Sequence, residues 1–178
     1  MTSPGHYSKK EMNTAFQKTV ASDEWYTPKE LVEALGEFDL DPCAPMVPLW
    51  RTAREMVNRE QDGLSIDWGG VRVWLNPPYS RPLIERFVEK MVENGNGIAL
   101  LYNRLDNKMC AEKILPNASA ILFLRHRVRF YLPDGTRGGS PGHGSMLVAF
   151  GESNAEILRN CHVEGFFVSL KDSKTIVL

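Results

Sequence analysis

Asn76-Pro77-Pro78-Tyr79 is the segment of this sequence whose residue types and spacing point most directly to chemistry. The Asn76 carboxamide oxygen and the Pro77 backbone carbonyl are two hydrogen-bond acceptors on neighbouring residues, and the Pro-Pro pair holds the carbonyl rigid. An exocyclic aromatic amine is a poor nucleophile because its lone pair is delocalised into the ring. Two acceptors that take its N–H groups localise that lone pair while it is aimed at a methyl donor. Tyr79 offers a face on which a base can stack. A base inside a duplex is out of reach of such a loop, so its nucleotide has to be flipped out of the stack. The same four residues also suit an ordinary strand-to-helix turn, and the elements around them bear on the choice.

Val71-Arg72-Val73-Trp74-Leu75 is β-branched and aromatic and runs straight into the prolines, which forbid both ladder pairing and helix. The loop is therefore expected at the C-terminal tip of a strand. After it, Leu83, Phe87, Val88, Met91 and Val92 recur at helical spacing up to the turn Asn94-Gly95-Asn96-Gly97. Upstream, Thr27-Pro28-Lys29-Glu30 predicts a helix start with Thr27 as N-cap and Pro28 at the first helical position. Leu31, Val32, Ala34 and Leu35 supply its apolar face, and Gly36 stops it. Phe38-Asp39-Leu40-Asp41 alternates, so as a strand it turns Phe38 and Leu40 one way and the carboxylates the other, with Pro42 ending it. Strands at 98–102, 120–124 and 146–150 and a short helix at 108–115 continue the alternation. The pattern predicts an α/β single domain with a mostly parallel sheet over residues 23–178, preceded by a flexible arm at 1–22 with a short helix around 12–20. Such sheets bind ligands beyond the carboxyl ends of their strands, where both Asp41 and Asn76 fall.

Composition narrows the partners. With 178 residues, 43% of them hydrophobic, the chain can bury one substantial core. Its 21 Lys and Arg against 22 Asp and Glu give a net charge of -1, so any contact with a polyanion must come from a local basic patch. Cys43, Cys110 and Cys161 are far apart and lack metal-ligand spacing, which argues against a disulfide framework or a metal site and fits a reducing cytosol. No apolar run has the length of a membrane span, and Met1 to Asn13 lacks the apolar stretch of a signal peptide.

Other candidates carry two readings each. Arg125, Arg127 and Arg129 alternate and on an extended segment would share a face, either gripping phosphates or lining a solvated edge. The glycines from Gly135 to Gly144, around Arg137 and His143, read as a mobile loop, either a substrate lid or plain disorder. His143 is not needed as a general base, because a methylated ammonium sheds its proton readily to water. Asp39 and Asp41 suit a ligand site or a solvated edge strand, and Asp62 a ligand contact or an Asp-Gly turn. Trp25, Trp50, Trp68 and Trp74 are expected in the core, and Cys43 as a small packing residue.

On these segments the sequence resembles the phage-encoded DNA N6-adenine methyltransferases, the Dam-like family. Asn76-Pro77-Pro78-Tyr79 matches motif IV of amino-methyltransferases. Asp23-Glu24-Trp25-Tyr26-Thr27-Pro28 resembles the family's entry segment, Phe38 to Ala44 its motif I, and Asp62-Gly63-Leu64 before Trp68 its lead-in to motif IV. Phe123 to Phe130, then Gly135 and Gly144-Ser145, follow its downstream pattern. The resemblance spans about residues 23 to 151 and implies a Rossmann-like fold. It implies S-adenosylmethionine as cofactor, with no metal, held near Tyr26, Thr27, Pro28, Asp39, Asp41, Pro42, Cys43, Ala44, Asp62 and Asn76. Asn76, Pro77, Pro78 and Tyr79 would be catalytic, and Arg125, Arg127, Arg129 and Arg137 would contact DNA. It further implies a cytoplasmic phage or prophage protein in a bacterial host, not bound to a membrane. Pro45 stands where many methyltransferases carry a cofactor-loop glycine. Related loops also serve RNA bases and protein glutamine side chains, and a DNA-binding module that keeps the fold without turnover is the non-enzymatic alternative.

Overall fold

The computed structural model describes residues 25–139 and 141–171. The arm expected at 1–22, the helix around 12–20 and Asp23-Glu24 lie outside them. Seven strands form one sheet in the order β2-β1-β3-β4-β6-β5-β7. Strand β1 (Leu40–Asp41) pairs in parallel with β2 (Glu55–Met56) and with β3 (Val73–Leu75), and β3 pairs in parallel with β4 (Gly97–Tyr102). Beyond β4 every interface is antiparallel: β4 with β6 (Ser145–Phe150), β6 with β5 (Ala120–Leu124), and β5 with β7 (Gly165–Ser169). The sheet is thus mixed, not mostly parallel as the alternation predicted, and its antiparallel ladders are the longer ones. The cause lies between β5 and β6. A parallel return needs a crossover, usually a helix, and the described residues of that connection contain none, so β6 comes back antiparallel between β4 and β5.

Alternation along the strands sorts the core into two layers. Val73, Leu75, Ala99, Leu101, Met146 and Val148 face one side, where helix α2 (Leu83–Asn94) adds Phe87, Val88 and Met91. Trp74, Ile98, Leu100, Leu147 and Ala149 face the other, covered by α1 (Lys29–Glu33) through Val32 and by α3 (Glu152–Asn160) through Ala155 and Leu158. Gly95, at φ 65°, ends α2 in the left-handed conformation that glycine adopts most readily.

Three local expectations are corrected. Phe38 and Leu40 do not share a face: the strand begins only at Leu40, so Phe38 packs on Trp74, ring centroids 5.5 Å apart, in the layer opposite Leu40. Pro28 itself caps α1, without a side-chain cap bond, and the Thr27 hydroxyl is used elsewhere. The helix expected at 108–115 is mostly π-helical, over Cys110–Ile114.

Candidate active site

The chain runs outward from β1 to β2, then returns to lay β3 on the other side of β1. The loops leaving β1 and β3 therefore diverge at one edge of a parallel pair, and the gap between them is the natural ligand crevice. A cavity of about 370 Å³ lies there, within the range of small-ligand sites. Pro42, Cys43, Ala44 and Pro45 line it from the β1 loop, and Asn76, Pro77, Pro78 and Tyr79 from the β3 loop. Asp62, Gly63 and Leu64 close a third side, and Leu83 and Phe87 of α2 a fourth.

Asn76 is held in a definite orientation. Its Nδ2 donates to the Trp25 carbonyl at 3.4 Å and to Thr27 Oγ1 at 3.2 Å. A backbone carbonyl can only accept, so the nitrogen must face Trp25 and the oxygen must point the other way. That oxygen, Oδ1, is buried and has no hydrogen-bond partner among the described residues. An acceptor withdrawn from water without a donor is costly, and such groups recur where a ligand supplies the missing bond.

Tyr79 is fixed at both ends. Its hydroxyl donates to the Leu100 carbonyl at 2.9 Å, and its ring stacks on Tyr102 with centroids 3.8 Å apart and 28° between planes. Burial, and secondarily the neighbouring Tyr102, pushes the Tyr79 hydroxyl well above its ordinary value, so it remains a donor. His143 lies over Tyr102 at 5.2 Å.

The segment at 62–64 is pinned from beneath. Trp68 Nε1 donates to the Gly63 carbonyl at 2.9 Å and Lys90 Nζ to the Leu64 carbonyl at 2.8 Å. Asp62 sits at φ 51° and accepts the Leu64 N–H on Oδ1 at 3.1 Å; its other oxygen makes no hydrogen bond among the described residues. Gly63 leaves no room for a side chain, since a Cβ there would stand 2.1 Å from the Pro42 carbonyl oxygen.

Other expected residues fall outside this cavity. Tyr26, Thr27 and Asp41 line a smaller adjoining one of about 20 Å³, which shares Cys43 and Asn76 with the first. Asp41 is buried, and both its oxygens are engaged, by the Cys43 N–H at 3.0 Å and by the Thr52 hydroxyl. Burial raises its carboxyl to about 6 in spite of those two bonds. Burial, with Asp41 adding to it, pushes the Cys43 thiol up as well, so Cys43 is no thiolate nucleophile. Asp39 lines neither cavity; it accepts the Arg72 N–H at 3.0 Å and faces Arg54 at 3.5 Å. Pro28 lines neither either.

The four arginines are all exposed, with different commitments. Arg137 pairs with Glu30 at 2.7 Å and donates to Tyr131 Oη at 2.9 Å; Arg125 pairs with Glu164 at 3.5 Å. Arg127 donates to the Pro141 carbonyl at 2.9 Å, and Arg129 has no ion pair among the described residues. No group of His, Cys, Asp and Glu among those residues is arranged to hold a metal.

Trp25 and Trp50 correct the expectation of four core tryptophans: Trp25 is 47% exposed and lines the cavity and Trp50 is half-buried, while Trp68 and Trp74 are buried. Arg59, Pro45, Leu83 and Phe87 line it too and were not among the expected site residues, Pro45 standing in the sequence only as a departure from a cofactor-loop glycine. Leu83 and Phe87 carried a signal, since they open the face of the helix that follows the Asn76 loop.

A mixed α/β sheet with a ligand-sized cavity beside the tips of β1 and β3, walled by an Asn-Pro-Pro-Tyr loop whose buried Asn76 acceptor has no partner among the described residues, defines an α/β protein with a candidate small-molecule site. The chain belongs to the DNA N-6-adenine-methyltransferase (Dam) family, whose sequence profile matches residues 14–164. It is 31% identical over 109 residues to a DNA N-6-adenine-methyltransferase of Escherichia phage T1, covering 57% of this chain and 44% of that one. It is 30% identical over 90 residues to a DNA N-6-adenine-methyltransferase of Haemophilus phage HP1 (strain HP1c1), covering 49% of this chain and 51% of that one. The match thus spans about half the length of these curated relatives. No solved structure matches the chain.

Proposed function

We propose that this protein methylates the exocyclic N6 amine of adenine in DNA, with S-adenosylmethionine as methyl donor, and that residues 23–178 act as one Rossmann-like methyltransferase domain. The observation that carries the proposal is the buried Asn76 Oδ1 at the tip of a central strand, which has no partner among the described residues, in a chain of the Dam family.

The cavity residues suit the cofactor. The apolar walls from Pro42, Ala44, Leu64 and Phe87 fit an adenine ring, and the exposed Asp62, with one carboxylate oxygen making no hydrogen bond among the described residues, fits a ribose diol. Arg59 at the rim suits the amino-acid carboxylate. Bound there, S-adenosylmethionine supplies an electrophilic methyl group on a sulfonium. The chain's own part is positioning. Asn76 Oδ1 accepts one N–H of the target amine and the Pro77 carbonyl the other, which draws the nitrogen lone pair out of conjugation. The Trp25 carbonyl and Thr27 hydroxyl keep the Asn76 oxygen aimed at the amine. Tyr79, clamped by its bond to Leu100 and by the Tyr102 ring, gives the flipped base a fixed wall. After transfer, the extra proton leaves the methylated nitrogen for water.

The relatives are phage proteins, which favours the cytoplasm of a bacterial host as the place of action. No helix among the described residues is long and apolar enough to cross a membrane. The test is methyl transfer from labelled cofactor to DNA, RNA and protein in parallel, followed by digestion of the DNA to nucleosides and mass spectrometry. N6-methyladenine as the product is expected. A different methylated base, or label found only in RNA or in protein glutamine, would replace the proposal.

A further inference from the structure

A second cavity, of about 120 Å³, lies beyond Tyr79 and does not include Asn76. Tyr79 and Tyr102 are in its wall, and Arg81, Glu85, Arg104 and Asn107 contribute its polar lining. Glu85, in the first turn of α2, is divided in its duties. Its Oε1 takes the Arg81 guanidinium at 2.9 Å, whereas Oε2 is buried with no hydrogen-bond partner among the described residues. Asn107 does not fill that vacancy, because its amide donates to the Arg104 carbonyl and accepts the Cys110 N–H, both at 2.8 Å. The cavity therefore combines an aromatic wall, one unsatisfied acceptor and two guanidinium groups.

That combination selects its ligand. The guanidinium of Arg81, already beside Glu85, opposes a free cation, so the missing donor belongs to a neutral group. A planar neutral ring with an N–H donor, attached to phosphates that the arginines can meet, is a nucleobase within a strand. Tyr79 is in the wall of both cavities, so a base held in the second and a target base with its amine at Asn76 are separated by about one side chain. We propose that the second cavity receives the base next to the target adenine and that Glu85 Oε2 selects that base by accepting a hydrogen bond from its exocyclic amine. This rests on the reading that the target adenine sits against Tyr79 with its amine at Asn76, beside the cofactor. An ionised carboxylate only accepts. Adenine, cytosine and guanine each offer it an amine. Thymine flanks its single N3–H with two carbonyl oxygens that face the carboxylate with like charge, and is disfavoured.

Single-stranded oligonucleotides with one target adenine test this, in two series that carry each of the four bases on its 5′ or on its 3′ side; where that neighbour is itself adenine, binding alone is read. Binding is read by anisotropy of a labelled end, and N6-methyladenine by mass spectrometry. In one of the two series the wild-type protein should disfavour thymine about tenfold in both readouts, a fold-change ordinary for one lost base contact. Glu85→Gln, whose amide can donate to thymine O4, should bring the four bases within about twofold. Glu85→Asp, which keeps the charge but withdraws the oxygen, should flatten the preference by weakening the favoured bases; it also guards against a Gln variant that folds poorly. Equal binding of all four bases in both series, a preference for thymine, or a preference that survives both substitutions would overturn the proposal and leave Glu85 Oε2 as a buried acceptor with no part in base selection. Base-selective binding without any N6-methyladenine would instead sink the adenine reading while the second base site stood.

Discussion

At the scale of single residues, Asn76 carries the proposed chemistry, because it gives up a satisfied hydrogen bond at Oδ1 and is restrained at Nδ2. Asn76→Ala removes an interaction that strengthens as the amine nitrogen becomes tetrahedral. Turnover should fall about a hundredfold or more while cofactor affinity, measured by calorimetry, changes little. Asn76→Asp keeps an acceptor and should retain more activity than Asn76→Ala. Tyr79→Phe keeps the ring but leaves the Leu100 carbonyl without its donor, a loss of about 1 kcal/mol in loop anchoring, so a modest fall in turnover is expected. Tyr79→Ala should be worse, since it also removes the wall shared by both cavities. Asp41 has a pH signature of its own. Its carboxyl is raised from 3.8 to about 6, so the folded state binds the proton more tightly than the unfolded chain. Stability from this group is therefore fully present below pH 4, declines as pH rises through 6, and is absent above. The total is on the order of 2–3 kcal/mol. Asp41→Asn should remove that slope, so denaturant melts of the two proteins between pH 4 and 7 should converge or cross as pH rises. Parallel curves would show that Asp41 is ionised throughout.

At the scale of elements, the site depends on how closely separate loops approach. Gly63→Ala puts a Cβ where the Pro42 carbonyl oxygen lies, so one of the two loops must retreat. A stability loss of ~1–3 kcal/mol is expected, together with a larger loss of cofactor affinity, because both loops line the same cavity. Wild-type affinity in Gly63→Ala, by calorimetry, would detach the 62–64 segment from the cofactor. The sequence made the strand-tip position of Asn76 legible, because two prolines after an apolar strand leave no other element possible. It also exposed the helix behind it through the spacing of Phe87, Val88 and Met91. It did not reveal that Thr27 serves Asn76 and not its own helix, since a hydroxyl before a proline reads as a cap whatever lies across the fold. Nor did it reveal the antiparallel half of the sheet, where β6 slots between β4 and β5, because strand order is set by long-range pairing that no local pattern records. Asp39 and Asp41 look equivalent by alternation. The fold separates them, Asp39 toward Arg54 at the surface and Asp41 beneath the β1 loop.

At the scale of the whole molecule, a net charge of -1 supplies no general attraction for a polyanion, so the proposed binding of DNA has to be carried by a few local cations. The four candidate arginines are not equivalent in this respect. Arg125 and Arg137 already face Glu164 and Glu30, and a phosphate would have to compete with those carboxylates. Arg127 is tied only to a backbone carbonyl, and Arg129 has no ion pair among the described residues, so these two can meet phosphates at least cost. Each phosphate neutralised releases condensed counterions and adds about 0.9 to the slope of log affinity against log salt on a duplex, or about 0.7 on a single strand. Arg129→Glu should therefore lower the slope by about one, and the double change with Arg127→Glu by about two, with the loss spread evenly over DNA sequences. Arg125→Gln should do less, because its guanidinium is already engaged by Glu164 and contributes less to a phosphate. Cofactor affinity should be untouched in all of them, since none of these arginines lines the cavity of Asn76 and Asp62. Anisotropy titrations from 50 to about 200 mM salt, the range over which such contacts lose most of their strength, read the slope directly. A slope unchanged in the double variant would move the DNA path away from this edge, toward the cations nearer the two cavities, Arg59, Arg81 and Arg104.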